Sequence, residues 1–102
     1  MNSTKKNTAR RAIFFEFEDV PGKTVFLAGS FNNWQMTTRM TYKAEKKLYS
    51  CRVFLEPGDY QYKFVVDGEW RLDGSNPCFA PNGFGELNSV IRVEEKNNIC
   101  NR

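Results

Sequence analysis

Two tryptophans, Trp34 and Trp70, and one phenylalanine, Phe84, stand where the sequence reads as turns or hairpin ends, and their types suggest a chemistry. Trp34 closes the run Ser30-Phe31-Asn32-Asn33-Trp34, whose two Asn favour a turn. Trp70 follows an Asp67-Gly68 pair, and Phe84 is held between Gly83 and Gly85. Exposed aromatics of this kind are not explained by a core. An indole or phenyl plane can cover the apolar C–H face of a pyranose, burying apolar area at ~25 cal/mol per Å² with few rotamers lost. Stacking gives affinity to any sugar, so selectivity needs side chains that hydrogen-bond the hydroxyl rim. Lys63 and Gln61 project from one face of the strand leading to Trp70, and Asn88 opens the last strand. Taken singly, each residue has a plainer reading: the tryptophans as loop cover, Lys63 as a solvated strand face, Asn88 as a partner for backbone groups. The combination is what points to sugar.

Other chemistries are poorly served. The 102 residues contain no histidine, which removes the commonest general base and the usual zinc ligand. Asp67, Glu69 and Asp73 are close in sequence, and glycosidases use two carboxylates, but a shallow sandwich edge has no means of raising an acid's pKa. The expectation is a protein that is not an enzyme and needs neither cofactor nor metal. Three cysteines (Cys51, Cys78, Cys100) are odd in number and widely spaced, so reduced thiols are expected, with neither a disulfide framework nor a zinc site. The net charge of +3 is too small for a nucleic-acid or membrane footprint. No apolar run approaches a membrane span or a secretory signal, so a cytoplasmic setting is expected.

The elements that must position these residues read as strands. Ile13, Phe15 and Phe17 alternate with Phe14, Glu16 and Glu18; Tyr49, Cys51, Val53 and Leu55 alternate with Ser50, Arg52 and Phe54. Residues 24–29 form a short run expected to be covered on both sides. Tyr60, Tyr62, Phe64 and Val66 make one face of a strand whose other face is Gln61, Lys63, Val65 and Asp67. Asp67-Gly68 is the strongest hairpin signal, followed by a short arm over 69–72. Residues 73–87 read as a long irregular stretch, and 88–94 as the last strand, with Ile91 and Val93 inward. No segment has a convincing helical period. The fold class expected is all-β, an immunoglobulin-like antiparallel sandwich of the early-set type. It occupies 11–95, between a flexible basic leader (1–10, with Lys5, Lys6 and Arg10) and a flexible tail (96–102).

Val25-Phe26-Leu27-Ala28-Gly29-Ser30-Phe31-Asn32-Asn33-Trp34, then Pro57-Gly58, the run from Tyr60 to Trp70, and the G-x-x-N-S-V-I-R-V end from Gly85 to Val93 resemble carbohydrate-binding module family 48. The likeness is greatest to the glycogen-binding domains of kinase β subunits of the AMP-activated type, and it covers about residues 12–94. The resemblance implies a β-sandwich that binds α-1,4-linked glucans, such as glycogen, starch or maltooligosaccharides, without chemistry of its own. It puts the sugar-stacking residues at Trp34 and Trp70 and the hydroxyl-binding residues at Lys63 and Asn88. Phe84 stands where the family typically has Leu, Glu86 where Thr is common, and Gln35 where Ser often follows the first Trp. Glu86 would lose a hydroxyl contact and add negative charge; Gln35 removes support for phosphorylation at that place. The partners implied are an α-glucan and a glycogen-metabolising enzyme or kinase acting in trans. The alternative is a protein-interaction module that keeps the sandwich and docks to an enzyme subunit, with Phe54 and Val65 as outward contacts.

Overall fold

Alternation of large apolar and polar residues leaves each strand with one face that must be covered, and two antiparallel sheets cover each other. The computed structural model describes residues 10–94; except for Arg10, the expected leader and tail lie outside the described residues. In chain order the strands are β1 (Arg11–Glu18), β2 (Val25–Gly29), β3 (Thr38–Arg39), β4 (Thr41–Lys43), β5 (Leu48–Leu55), β6 (Gly58–Val66), β7 (Glu69–Arg71), β8 (Phe79–Pro81) and β9 (Leu87–Val93). A 3-10 turn, Ser30–Asn32, follows β2. One sheet has the order β1-β5-β4; the other runs β3-β2-β6-β9-β8, with β7 also paired to β6. Every pairing is antiparallel. The chain is therefore an all-β, immunoglobulin-like sandwich. Among the described residues no helix is long and apolar enough to cross a membrane.

The core lies between the sheets. Ile13 and Phe15 from β1, Tyr49 and Leu55 from β5, Val25 and Leu27 from β2, and Tyr62, Phe64 and Val66 from β6 are buried there. Phe15 meets the Tyr62 ring edge-on at 4.9 Å, and Phe17 lies 5.1 Å from Phe64. β6 is central: its upper part pairs with β2 and β7, its lower part with β9. Because side chains alternate, the strand that sends Tyr62 and Phe64 inward must send Gln61, Lys63 and Val65 to the outer face.

Several expectations need correction. The stretch 73–87 is not wholly irregular, because Phe79–Pro81 forms β8 on β9. A proline ends that strand, which is tolerated because β8 is an edge. Val65 does face outward, but it is only 1% exposed. It lies between Phe26 on β2 and Trp70 on β7, which cover it. Phe54 is 51% exposed but belongs to the other sheet, so the two residues form no common docking surface. Cys78 is disulfide-bonded, against the expectation of three reduced thiols, while Cys51 is free. Burial pushes the Cys51 thiol up to about 11. Sequence spacing does not report which sulfurs a sandwich brings together, and that is where the thiol reading failed.

Candidate functional site

The outer face of the larger sheet carries an open groove of about 930 Å³, lined by all five residues singled out above: Trp34, Lys63, Trp70, Phe84 and Asn88. They come from five parts of the chain (the turn after β2, β6, β7, the β8–β9 connection and β9), and each is placed by an identifiable local device.

Trp34 is set by the end of β2. Asn32 folds its side chain back, its Oδ1 accepting from the Gly29 amide at 2.9 Å and its Nδ2 donating to the Leu27 carbonyl at 3.1 Å. Asn33 and Trp34 then both adopt left-handed backbone, with φ of 58° and 60°. The Trp34 amide donates to the Gly29 carbonyl at 2.9 Å, closing the loop. Asn tolerates that conformation, but a bulky residue does so at a cost of about 1–2 kcal/mol. A strained aromatic, tied down by its neighbours, is the kind of outlier that accompanies binding sites.

Trp70 is set by a hairpin. Asp67 and Gly68 take φ of 49° and 86°, so two central residues with positive φ turn β6 into β7. The Asp67 side chain anchors the turn by accepting from the Thr24 amide at 2.9 Å, and its own amide donates to the Thr24 carbonyl. Trp70 therefore stands opposite Val65, 46% exposed. The two indoles lie 6.4 Å apart, centroid to centroid, with planes inclined at 50°. They form an angled aromatic wall.

The floor is polar and buried. Lys63 is 8% exposed and Asn88 7%. The Lys63 Nζ donates to Glu86 Oε1 at 3.0 Å. The Asn88 amide nitrogen donates to Gln61 Oε1 at 2.9 Å. These polar ends are held in fixed positions by partners of their own, which leaves the ammonium's other protons to face a ligand.

Opposite the tryptophans, the connection from β8 to β9 carries Phe84 and Glu86. Asn82 organises it: its Oδ1 accepts from the Phe84 amide at 2.8 Å and from the Glu86 amide at 3.3 Å, and its own amide donates to the Glu86 carbonyl. Gly83 and Gly85 supply the positive φ this tight loop needs. Phe84 is left 89% exposed at the tip.

Sequence reasoning missed Asn82 as the loop's organiser, and it named Glu86 as an added negative charge without its pairing to Lys63. An Asn four residues before Glu86, within a Gly-rich run, was the only available signal for the first. Asp67, Glu69 and Asp73, close in sequence, do not converge in space. Asp67 takes the Thr24 amide, Glu69 pairs with Arg71, Asp73 accepts from Tyr62, and none lines the groove. Among the described residues no group of three or more His, Cys, Asp or Glu could hold a metal ion. At the groove's lower end Asp59 is bonded to Arg92 at 2.8 Å, which holds its carboxyl below the usual range and raises the guanidinium. A second cavity of about 600 Å³, bounded by β1 and the buried Asn76, contains none of the five residues.

Residues 12–99 match the family model described as the glycogen recognition site of AMP-activated protein kinase. The chain is 36% identical over 74 residues to 5'-AMP-activated protein kinase subunit beta-1 of Sus scrofa, covering 72% of this chain and 57% of that protein. The human subunit beta-1 gives the same identity over 74 residues, covering 26% of its length. Protein PTST homolog 2, chloroplastic, of Arabidopsis thaliana is 42% identical over 67 residues, which are 66% of this chain and 12% of that protein. The chain thus spans about half or less of the relatives it matches.

Proposed function

The chain belongs to the family described as the glycogen recognition site of AMP-activated protein kinase, and from that premise we propose that it binds α-1,4-linked glucan chains without transforming them. The observation that carries this reading is the pair Trp34 and Trp70, inclined at 50° above a buried polar floor. Two planes set at an angle suit the curved run of sugar faces along an α-glucan, one pyranose to each ring. Lys63 and Asn88 hydrogen-bond the hydroxyl rims, and Phe84 packs against the chain from the opposite loop. Binding at so open a groove is weak per site, since sugar motion is lost and bound water displaced. Repeated sites on a branched polymer compensate.

The same reading has no chemical step, so the module's work is to carry something to the polymer, an enzyme or kinase in trans. A cytoplasmic setting belongs to the proposal; the disulfide at Cys78 is the observation that pulls against it. The alternative, a docking module, is favoured by the exposure of Phe14 (61%) and Phe54 (51%) on the smaller sheet. Titration of tryptophan fluorescence with maltoheptaose and β-cyclodextrin, beside sedimentation with glycogen, tests the choice. Saturable quenching and co-sedimentation support glucan binding. A folded protein that does neither overturns it.

A further inference from the structure

We propose that Glu86 makes the groove discriminate by charge, accepting neutral α-glucan chains and disfavouring those that carry phosphate monoesters. This rests on the glucan reading above and adds a specificity-determining residue to it. Among the described residues, three charged ones line the groove: Asp59, Lys63 and Glu86. Asp59 is already neutralised by Arg92 on the adjacent strand. Lys63 and Glu86 therefore decide the local field, and they are not equally accessible. The Lys63 side chain is 10% exposed and its ammonium is bonded to Glu86 at 3.0 Å, whereas the Glu86 side chain is 67% exposed. A ligand entering the groove meets the carboxylate before it meets the ammonium.

That carboxylate is held by its bond to Lys63, and the backbone beneath it is tied down. Asn82 receives the Glu86 amide, and the Asn82 amide is bonded to the Glu86 carbonyl, so residue 86 cannot swing away with its loop intact. A buried lysine with no acidic partner would attract anions to the sugar site. Paired as it is, Lys63 keeps protons to offer a neutral hydroxyl, while its net attraction for a phosphate is cancelled. A phosphate monoester carries about −1.5 to −2 charges near neutral pH and would face Glu86 across the groove.

The test compares maltoheptaose with maltoheptaose bearing a single 6-phosphate, by tryptophan fluorescence at low ionic strength, on the full chain and on Glu86→Gln. Glutamine keeps an oxygen for Lys63 to donate to and removes the charge. The full chain is expected to bind the neutral oligosaccharide about threefold to fivefold more tightly, from charge repulsion across a solvated groove. In E86Q the preference disappears or reverses. High salt should shrink the preference of the unsubstituted chain, a second readout that needs no variant. A ratio near one for the unsubstituted chain, or an undiminished ratio in folded E86Q, overturns the proposal while leaving glucan binding intact. Failure to bind the neutral oligosaccharide at all overturns the glucan reading itself.

Discussion

The Tyr62 hydroxyl donates to Asp73 Oδ2 at 2.6 Å while accepting from Asn76 Nδ2 at 3.0 Å, joining a core ring to the connection that leads into β8. Burial, reinforced by the acceptor Asp73, pushes the phenol well above its ordinary range. Asn76 extends the link, donating to the Val90 carbonyl and accepting from the Cys78 amide. Removing the hydroxyl leaves buried polar atoms short of a partner, at a cost of about 1–3 kcal/mol. Tyr62→Phe is expected to lower the urea midpoint accordingly, with little change in glucan affinity, because Tyr62 faces the core and Lys63 the groove.

Trp70 should carry a large share of binding. Losing an aromatic platform worth about 1.5–3 kcal/mol weakens affinity about tenfold or more. Trp70→Ala is expected to lose retention on glycogen while keeping its far-UV circular dichroism spectrum. Retention by the folded variant would remove Trp70 from the site.

Gly29 has no room for a methyl group. A Cβ there would lie 2.6 Å from the Gln61 carbonyl oxygen and 2.6 Å from the Phe31 ring. The carbonyl belongs to β6 and cannot yield cheaply, so Gly29→Ala should destabilise by about 1–3 kcal/mol. Since the Gly29 carbonyl also holds the Trp34 amide, glucan affinity should fall with it. Chemical denaturation and fluorescence titration read the two effects separately.

Acid should act partly through Asp59. The hydrogen bond from Arg92 lowers its pKa, so its contribution to stability is present above the unfolded value of about 3.9 and lost as pH falls through the lower folded value. Asp19, bonded to Lys23, shifts in the same direction. In Asp59→Asn the melting temperature should therefore fall less steeply below about pH 4, with part of the acid limb remaining through Asp19. An acid limb identical to that of the unsubstituted chain would show that the Asp59–Arg92 bond contributes nothing to folding.

Much of this was legible because a strand writes its two faces alternately. Tyr62 and Phe64 against Lys63 identified both core and groove floor, and Asp67-Gly68 located the hairpin that lifts Trp70. What stayed hidden depends on neighbours distant in the chain. β8 was masked by Pro81, which reads as a breaker unless its strand is known to be an edge. Alternation told correctly that Val65 turns outward, but not that Phe26 and Trp70 would cover it. Glu86 is 23 positions from Lys63, so their ion pair exists only once the β8–β9 connection has folded over β6. The two-residue strand Thr38–Arg39 is too short to write any pattern at all.

The groove's floor and its walls stand on parts of the fold with unequal resistance to opening. From Phe64 to Val66 β6 is paired on both edges and buried, so the amides of that stretch should exchange with solvent only as slowly as the whole domain unfolds. Trp70 sits on a three-residue arm exposed at every position, and Phe84 on a glycine-flanked tip. A bound glucan would therefore slow amide exchange in the arm and the tip and leave β6 almost unaltered. On the proposed reading, the module would meet sugar hydroxyls with a rigidly held lysine and sugar faces with parts that can yield, so that one site could follow glucan chains of differing curvature.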